Sequence, residues 1–173
     1  FSSNVGTLQD RHIAFDIALH DLAGVILNQP VYEMLGRKKP FITDYYSGMI
    51  YFDDLEPAGK PAGIDRILEE CRYDYGVGYR QFKLKIGRGH KWMPFTAGLQ
   101  RDIDVTNAVS EAFPDCRILV DGNNGFSVDQ FIQYLKGIPA VNLLWIEEPF
   151  HETVRDYQTL RSFLKAEGIG TLL

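Results

Sequence analysis

The chain has 173 residues, 45% hydrophobic and 24% charged, which is enough apolar content for one sizeable core and is the composition of an ordinary globular protein, not of a disordered one. A net charge of −5 and a pI near 5.3 exclude a general affinity for nucleic acid, which needs clustered Lys and Arg; the basic run Arg37-Lys38-Lys39 is too short. No apolar run approaches the roughly 20 residues that span a bilayer, and the opening FSSNVGTLQD lacks the basic and apolar regions of a secretory signal, so a cytoplasmic protein without a membrane partner is expected.

Phe15, Leu19, Leu22 and Ile26 recur at helical spacing and predict a helix over Leu8–Leu27, with Thr7 available as its N-cap. Pro30 can open a second, short helix, VYEMLG, because its missing N–H costs nothing in a first turn, and Gly36 can close it. After Lys39 the pattern alternates. Strands are predicted near Ile42–Ile50, Arg80–Ile86, Arg117–Asp121 and Asn142–Glu147, and helices near Ile64–Tyr73, Leu99–Ala112, Val128–Leu135 and Val154–Lys165. Gly170-Thr171-Leu172-Leu173 reads as the start of a fifth strand. Strands separated by helices imply βαβ units and a parallel sheet. Four such units match half of an eight-stranded barrel, which takes about 250 residues. An open doubly wound sheet would carry a Gly-rich phosphate turn after its first strand, where this chain has Ser47-Gly48-Met49. Cys71 and Cys116 form no CxxC pair, and idle, buried thiols are expected.

In YRQFKLKIG, Phe82, Leu84 and Ile86 share one strand face and Gln81, Lys83 and Lys85 the other. In a barrel the lysines enter the interior near the strand's C-terminal end, where active sites of this fold lie. Two ammonium groups one pleat apart, partly desolvated, should favour the neutral form of at least one of them. A solvated edge strand whose lysines deter aggregation is the structural alternative.

RILVDGNNG sets Asp121 and Asn123 on one face where a strand ends, hard oxygen donors of the kind Mg²⁺ takes. The alternative is an Asx turn capping the next helix. VNLLWIEEPF alternates so that Glu147 faces inward with Trp145, Glu148 lies near the rim, and Pro149 ends the strand; dipole complementation of the following helix is the alternative there. Lys85, Asp121 and Glu147 thus fall at the ends of three successive strands, 36 (85 to 121) and 26 (121 to 147) residues apart, each close to one β/α unit.

With FKLKIG, VDGNNGFS and WIEEPF in this order and spacing, the chain resembles the enolase superfamily, on its mandelate racemase and muconate-lactonizing branch. AFDIALHDLAGVILNQPVYEMLG is similar to the last helices of that family's capping domain. The resemblance implies an α/β fold in which the first half of a (β/α)7β TIM-like barrel, residues 39–173, follows the helical end of an α+β capping domain, residues 1–38. It implies Lys85 as the base, Lys83 as the group that holds the substrate carboxylate and tunes Lys85, and Asp121 and Glu147 as Mg²⁺ ligands, with Asn123 and Glu148 in support. The chemistry implied is removal of a proton α to a carboxylate to give a metal-stabilised enediolate, a family pattern and not one read from spacing.

That chemistry leads to acid-sugar dehydration or to racemisation or epimerisation of a small carboxylate substrate, in a homo-oligomer. A third acidic ligand is expected at the end of the fifth strand, and the beginning of the capping domain and the later strands are expected outside these 173 residues. His90 and Trp92 in GRGHKWM, and Tyr45 near the first strand, are candidate substrate-lining residues; a surface loop and core aromatics are the plainer readings. Two other functions stay open: a lysine Schiff-base aldolase using Lys85 or Lys83 without metal, and a non-catalytic domain.

Overall fold

The computed structural model describes residues 10–37, 43–151 and 153–173, in two compact units, Phe1–Asp44 and Tyr45–Leu173. The first unit holds helix α1 (Asp10–Leu27) and helix α2 (Val31–Met34). Asn28, in the left-handed region at φ 48°, ends α1, and Gly36 at φ 96° ends α2. The predicted N-cap Thr7 lies outside the described residues.

The second unit carries the candidate site residues. Its strands are β1 (Ser47–Ile50), β2 (Gln81–Lys85), β3 (Arg117–Asp121) and β4 (Leu143–Glu147). Helix α3 (Ile64–Val77) connects β1 to β2, α4 (Arg88–Lys91) and α5 (Phe95–Ala112) connect β2 to β3, α6 (Val128–Lys136) connects β3 to β4, and α7 (Val154–Ala166) follows β4. All strand pairs are parallel and the order is β1-β2-β3-β4. Sequential order without reversal is that of a barrel segment, whereas a doubly wound sheet grows outward from its first strand. Leu172 bridges Trp145 in parallel, exchanging backbone hydrogen bonds with Ile146 and Leu144, so the predicted fifth strand begins beside β4.

Strand parity sorts the two faces. Phe82, Leu84, Ile118, Val120 and Ile146 join one cluster with Ile67 and Cys71 of α3, Val105 and Val109 of α5, Phe131 and Leu135 of α6, and Leu160 of α7. The helices therefore cover one sheet face, and the lysines and carboxylates lie on the other. Full burial of each large apolar side chain contributes roughly 1.5–3 kcal/mol.

Three helix boundaries have visible causes. Gly78 at φ 118° caps α3, which runs four residues beyond its predicted end at Tyr73. Ser127 and Gln130 form a capping box at α6, and the Thr153 hydroxyl accepts from the Asp156 N–H at α7. The first strand is shorter than expected. Residues 43–46 form no ladder, because β2 pairs β1 only from Ser47 onward; Ile42 lies outside the described residues. Among the described residues no helix is long and apolar enough to cross a membrane.

Candidate active site

Register places the site. Lys85 pairs with Asp121 and Asp121 with Glu147, so the three stand in one row across the C-terminal ends of β2, β3 and β4. Lys83 lies one pleat below, on the same face. Its ammonium donates to Asp121 Oδ2 and to Glu147 Oε2, each at 3.1 Å, and the Lys85 Nζ is 2.9 Å from Asp121 Oδ2. Two lysine nitrogens and two carboxylates thus gather on a half-buried surface.

Desolvation alone would lower the pKa of Lys83, but its hydrogen bonds to Glu147 and Asp121 and the charges of both outweigh burial and hold it above the ordinary lysine value. Of the two lysines expected to favour the neutral form in at least one, Lys83 is held in its charged form, because carboxylates, and not the other ammonium, are its nearest charges. Asp121 shifts the opposite way. Burial would raise it, but hydrogen bonds from Lys85, Lys83 and the Asn123 backbone hold it below the ordinary carboxylate range.

Both local alternatives resolve physically. Asp121 Oδ1 accepts from the Asn123 backbone N–H at 3.1 Å, which is an Asx turn, while Oδ2 remains directed at the lysines. The following helix is capped by Ser127 and the helix after β4 by Thr153, so neither Asp121 nor the Glu147-Glu148 pair serves as a cap. Glu148 has φ 41°, and its carboxylate accepts from Asn123 Nδ2 at 2.9 Å. Asn123 also donates to Asp121 Oδ1, linking Glu148 to Asp121 indirectly.

Asp121 and Glu147 are the residues that could hold a divalent cation. Their oxygens already converge on one positive group, the Lys83 ammonium. Among the described residues no cluster of three or more His, Cys, Asp or Glu forms, and this stretch contributes two carboxylates. Such a set suits Mg²⁺, which binds through one or two carboxylates and leaves positions for water and substrate oxygens.

A cavity of about 420 Å³ opens beside Lys85, lined by Asn123, His90, Trp92, Phe52 and Glu56 among others. His90 and Trp92 border it from the short helix α4 and its C-cap instead of an irregular loop, and both are exposed. Tyr45 does not line this cavity; it is exposed and packs edge-on to Tyr79, with ring centroids 5.3 Å apart. Tyr46 is the aromatic near the lysines, its ring 5.6 Å from the Lys83 ammonium. His151 is exposed. Phe52 and Glu56 are not legible in the sequence as lining residues, and the full burial of Arg88 is not legible either, because hydropathy patterns assign charges and short turns to the surface. Cys71 and Cys116 are free and buried, as expected.

Residues 66–170 match the Enolase C-terminal domain-like family. The 3,6-anhydro-alpha-L-galactonate cycloisomerase of Streptomyces coelicolor is 31% identical over 137 residues, 79% of this chain and 33% of that protein. A galacturonate dehydratase from a Geobacillus species, solved with D-galacturonate and 5-keto-4-deoxy-D-galacturonate, is 32% identical with a TM-score of 0.82, over 98% of this chain and 45% of its own. A mandelate racemase/muconate lactonizing protein from Geobacillus sp. Y412MC10, solved with magnesium and tartrate, is 32% identical with a TM-score of 0.77, over 89% of this chain and 42% of its own. The chain spans about a third of the curated relative's length and under half of each solved structure's. With the barrel-type sheet, the family match and these likenesses in agreement, the chain belongs to the enolase superfamily, on its mandelate racemase and muconate-lactonizing branch.

Proposed function

We propose that the protein removes the proton α to the carboxylate of a sugar acid and that the β-hydroxyl then leaves, an acid-sugar dehydration. Lys85 accepts the proton, Asp121 and Glu147 hold Mg²⁺, and Lys83 steadies the substrate carboxylate. The observation that carries the reading is the row Lys85–Asp121–Glu147 at three adjacent strand ends, with Lys83 reaching two of its members.

A proton next to a carboxylate is weakly acidic, because its removal adds negative charge to a group that is already anionic. When bound, Mg²⁺ supplies positive charge to those carboxylate oxygens. The chain's own residues do the remainder. Lys83, kept protonated by two carboxylates, presents a fixed positive charge toward the same region, and fixed charges in a partly desolvated site stabilise developing charge without reorganising. Lys85 stands in register with Asp121, within reach of the cavity where a substrate α-carbon would lie. The Lys85 nitrogen, in its neutral amine form, takes the α-proton; the electron pair left behind forms the Cα–Cβ double bond as the β C–O bond breaks, and the hydroxyl leaves as water with a proton returned by the Lys85 ammonium so formed or by solvent, after which the enol tautomerises to a 2-keto-3-deoxy acid.

The two compounds held by the Geobacillus galacturonate dehydratase differ by one water, lost beside the carboxylate-bearing carbon, which supports dehydration as the outcome. Racemisation or epimerisation shares the first step and differs in returning the proton. A Schiff-base role is disfavoured for Lys83, since an amine held in its charged form is a poor nucleophile. Incubating the protein with D-galacturonate, arabinonate and related sugar acids, with and without a chelator, tests the proposal. Chelator-sensitive formation of a keto-deoxy acid is expected, and loss of optical rotation without keto product would replace dehydration with racemisation.

A further inference from the structure

We infer that Arg88 is a positioning residue that fixes the backbone of Lys85 and the Phe52–Trp92 pair beside it; this rests on the reading of Lys85 as the base.

The Arg88, Asp54 and Asp102 side chains are all fully buried. Burying an ion costs several kcal/mol unless its partners are well placed, and an apolar filling of the same volume often serves stability as well. Here every guanidinium nitrogen is used. Nε faces both Asp54 oxygens at 3.2 Å, Nη2 donates to Asp54 Oδ1 and toward the Tyr51 carbonyl at 3.5 Å, and Nη1 donates to Asp102 Oδ1 at 2.8 Å and the Lys85 carbonyl at 3.2 Å. Asp102 Oδ2 accepts from the backbone N–H groups of Gly87 and Arg88. Arg101, 3.9 Å from Asp54 Oδ2, brings the cluster to two positive and two negative groups.

Four segments meet at this one side chain: the end of β2 at Lys85, the residue after β1, Tyr51, the 3-10 turn Asp53–Leu55, and α5 at Asp102. Two of them carry the cavity walls. Phe52 lies under the guanidinium, its ring centroid 4.6 Å from the Arg88 Cζ, and meets Trp92 edge-on with centroids 6.0 Å apart, so this aromatic pair lining the cavity is backed by Arg88. The hydrogen bond to the Lys85 carbonyl fixes the backbone from which the candidate base projects. Such an arrangement needs a planar, five-donor fork, which a lysine ammonium with three donors does not reproduce.

The test is Arg88→Lys in the full chain, with Asp54→Asn as a second variant that keeps the Arg88–Asp102 link and loosens only the β1 side. Small displacements of a reacting group cost up to about 100-fold, so Arg88→Lys should lower kcat about ten- to a hundred-fold per folded molecule. Mg²⁺ affinity should hold, since Asp121 and Glu147 stand on other strands. Asp54→Asn should raise KM more than it lowers kcat. A readout independent of turnover is Trp92 emission in a Trp145→Phe background, which should shift in Arg88→Lys with no substrate present. Wild-type kcat, KM and Trp92 emission in folded Arg88→Lys would overturn the inference. If that variant does not fold, unchanged kinetics and Trp92 emission in Asp54→Asn overturn it instead. An inactive wild type with every sugar acid would sink the functional reading alone, because the emission shift still reports the clasp.

Discussion

Lys85 and Asp121 are register partners on neighbouring strands, and their charged atoms stand 2.9 Å apart, so the candidate base and a candidate metal ligand are fixed by one ladder and not by loops. Rigid strand ends hold such groups more closely than mobile segments do. The same ladder continues from Asp121 to Glu147.

This geometry ranks the acidic residues. Asp121→Ala and Glu147→Ala should each weaken Mg²⁺ binding by about 100-fold or more, beyond what loss of a supporting residue usually costs, whereas Glu148→Ala should stay within about tenfold. The Glu148 carboxylate is committed to Asn123 and reaches Asp121 only through it. Calorimetric titration of the three variants gives the order, and a larger loss at Glu148 would reverse the assignment.

Two glycine substitutions separate close packing from open space. A Cβ on Gly98 would lie 2.2 Å from the Gly89 nitrogen, where α5 crosses α4, and the contact is with backbone that cannot rotate away. Gly98→Ala should destabilise by about 1–3 kcal/mol or more, as overpacking does. Gly76, inside α3, has nothing within 4 Å of the place an alanine methyl would take, and Gly76→Ala should stabilise by roughly 0.4–1 kcal/mol through the unfolded chain. Urea midpoints moving in opposite directions are the expected result.

Glu70 gives a pH prediction away from the site. Desolvation, with Asp53 beside it and against the charge of Arg66, pushes its carboxyl up from 4.5 to about 7. The folded state therefore keeps the proton longer than the unfolded state. Its contribution to stability is complete below pH 4.5 and is lost as pH rises through about 7. Glu70→Gln cannot ionise, so its melting temperature should match the wild type near pH 4.5 and exceed it at about pH 8. A constant difference across both pH values would contradict the shift.

Much of this arrangement is legible in the sequence, because the strands that matter obey a period of two. Alternation in FKLKIG and LLWIEEP places Lys83, Lys85 and Glu147 on one face, and β3 begins and ends at its predicted residues, Arg117 and Asp121. The sign of the Lys83 shift is not legible, since it depends on two carboxylates 38 and 64 residues away. Neither is the Arg88–Asp54–Asp102 cluster, because a buried charge looks the same in sequence as a solvated one. Tyr45 misleads for the opposite reason: an aromatic beside a strand suggests a pocket, but the ladder starts only at Ser47 and leaves the ring against Tyr79.

The most direct measurement is exchange of the sugar-acid α-proton in deuterated solvent, followed by proton NMR, for wild type and Lys85→Met with Mg²⁺ affinity measured alongside. Loss of a positioned general base costs typically about 10²–10⁴-fold, so exchange should slow by about that factor in Lys85→Met while Mg²⁺ affinity stays near the wild-type value. Wild-type exchange should also stop when the metal is chelated. Exchange at the wild-type rate in Lys85→Met, or exchange indifferent to chelator, would contradict the assignment of Lys85 as the base and of Asp121 and Glu147 as metal ligands.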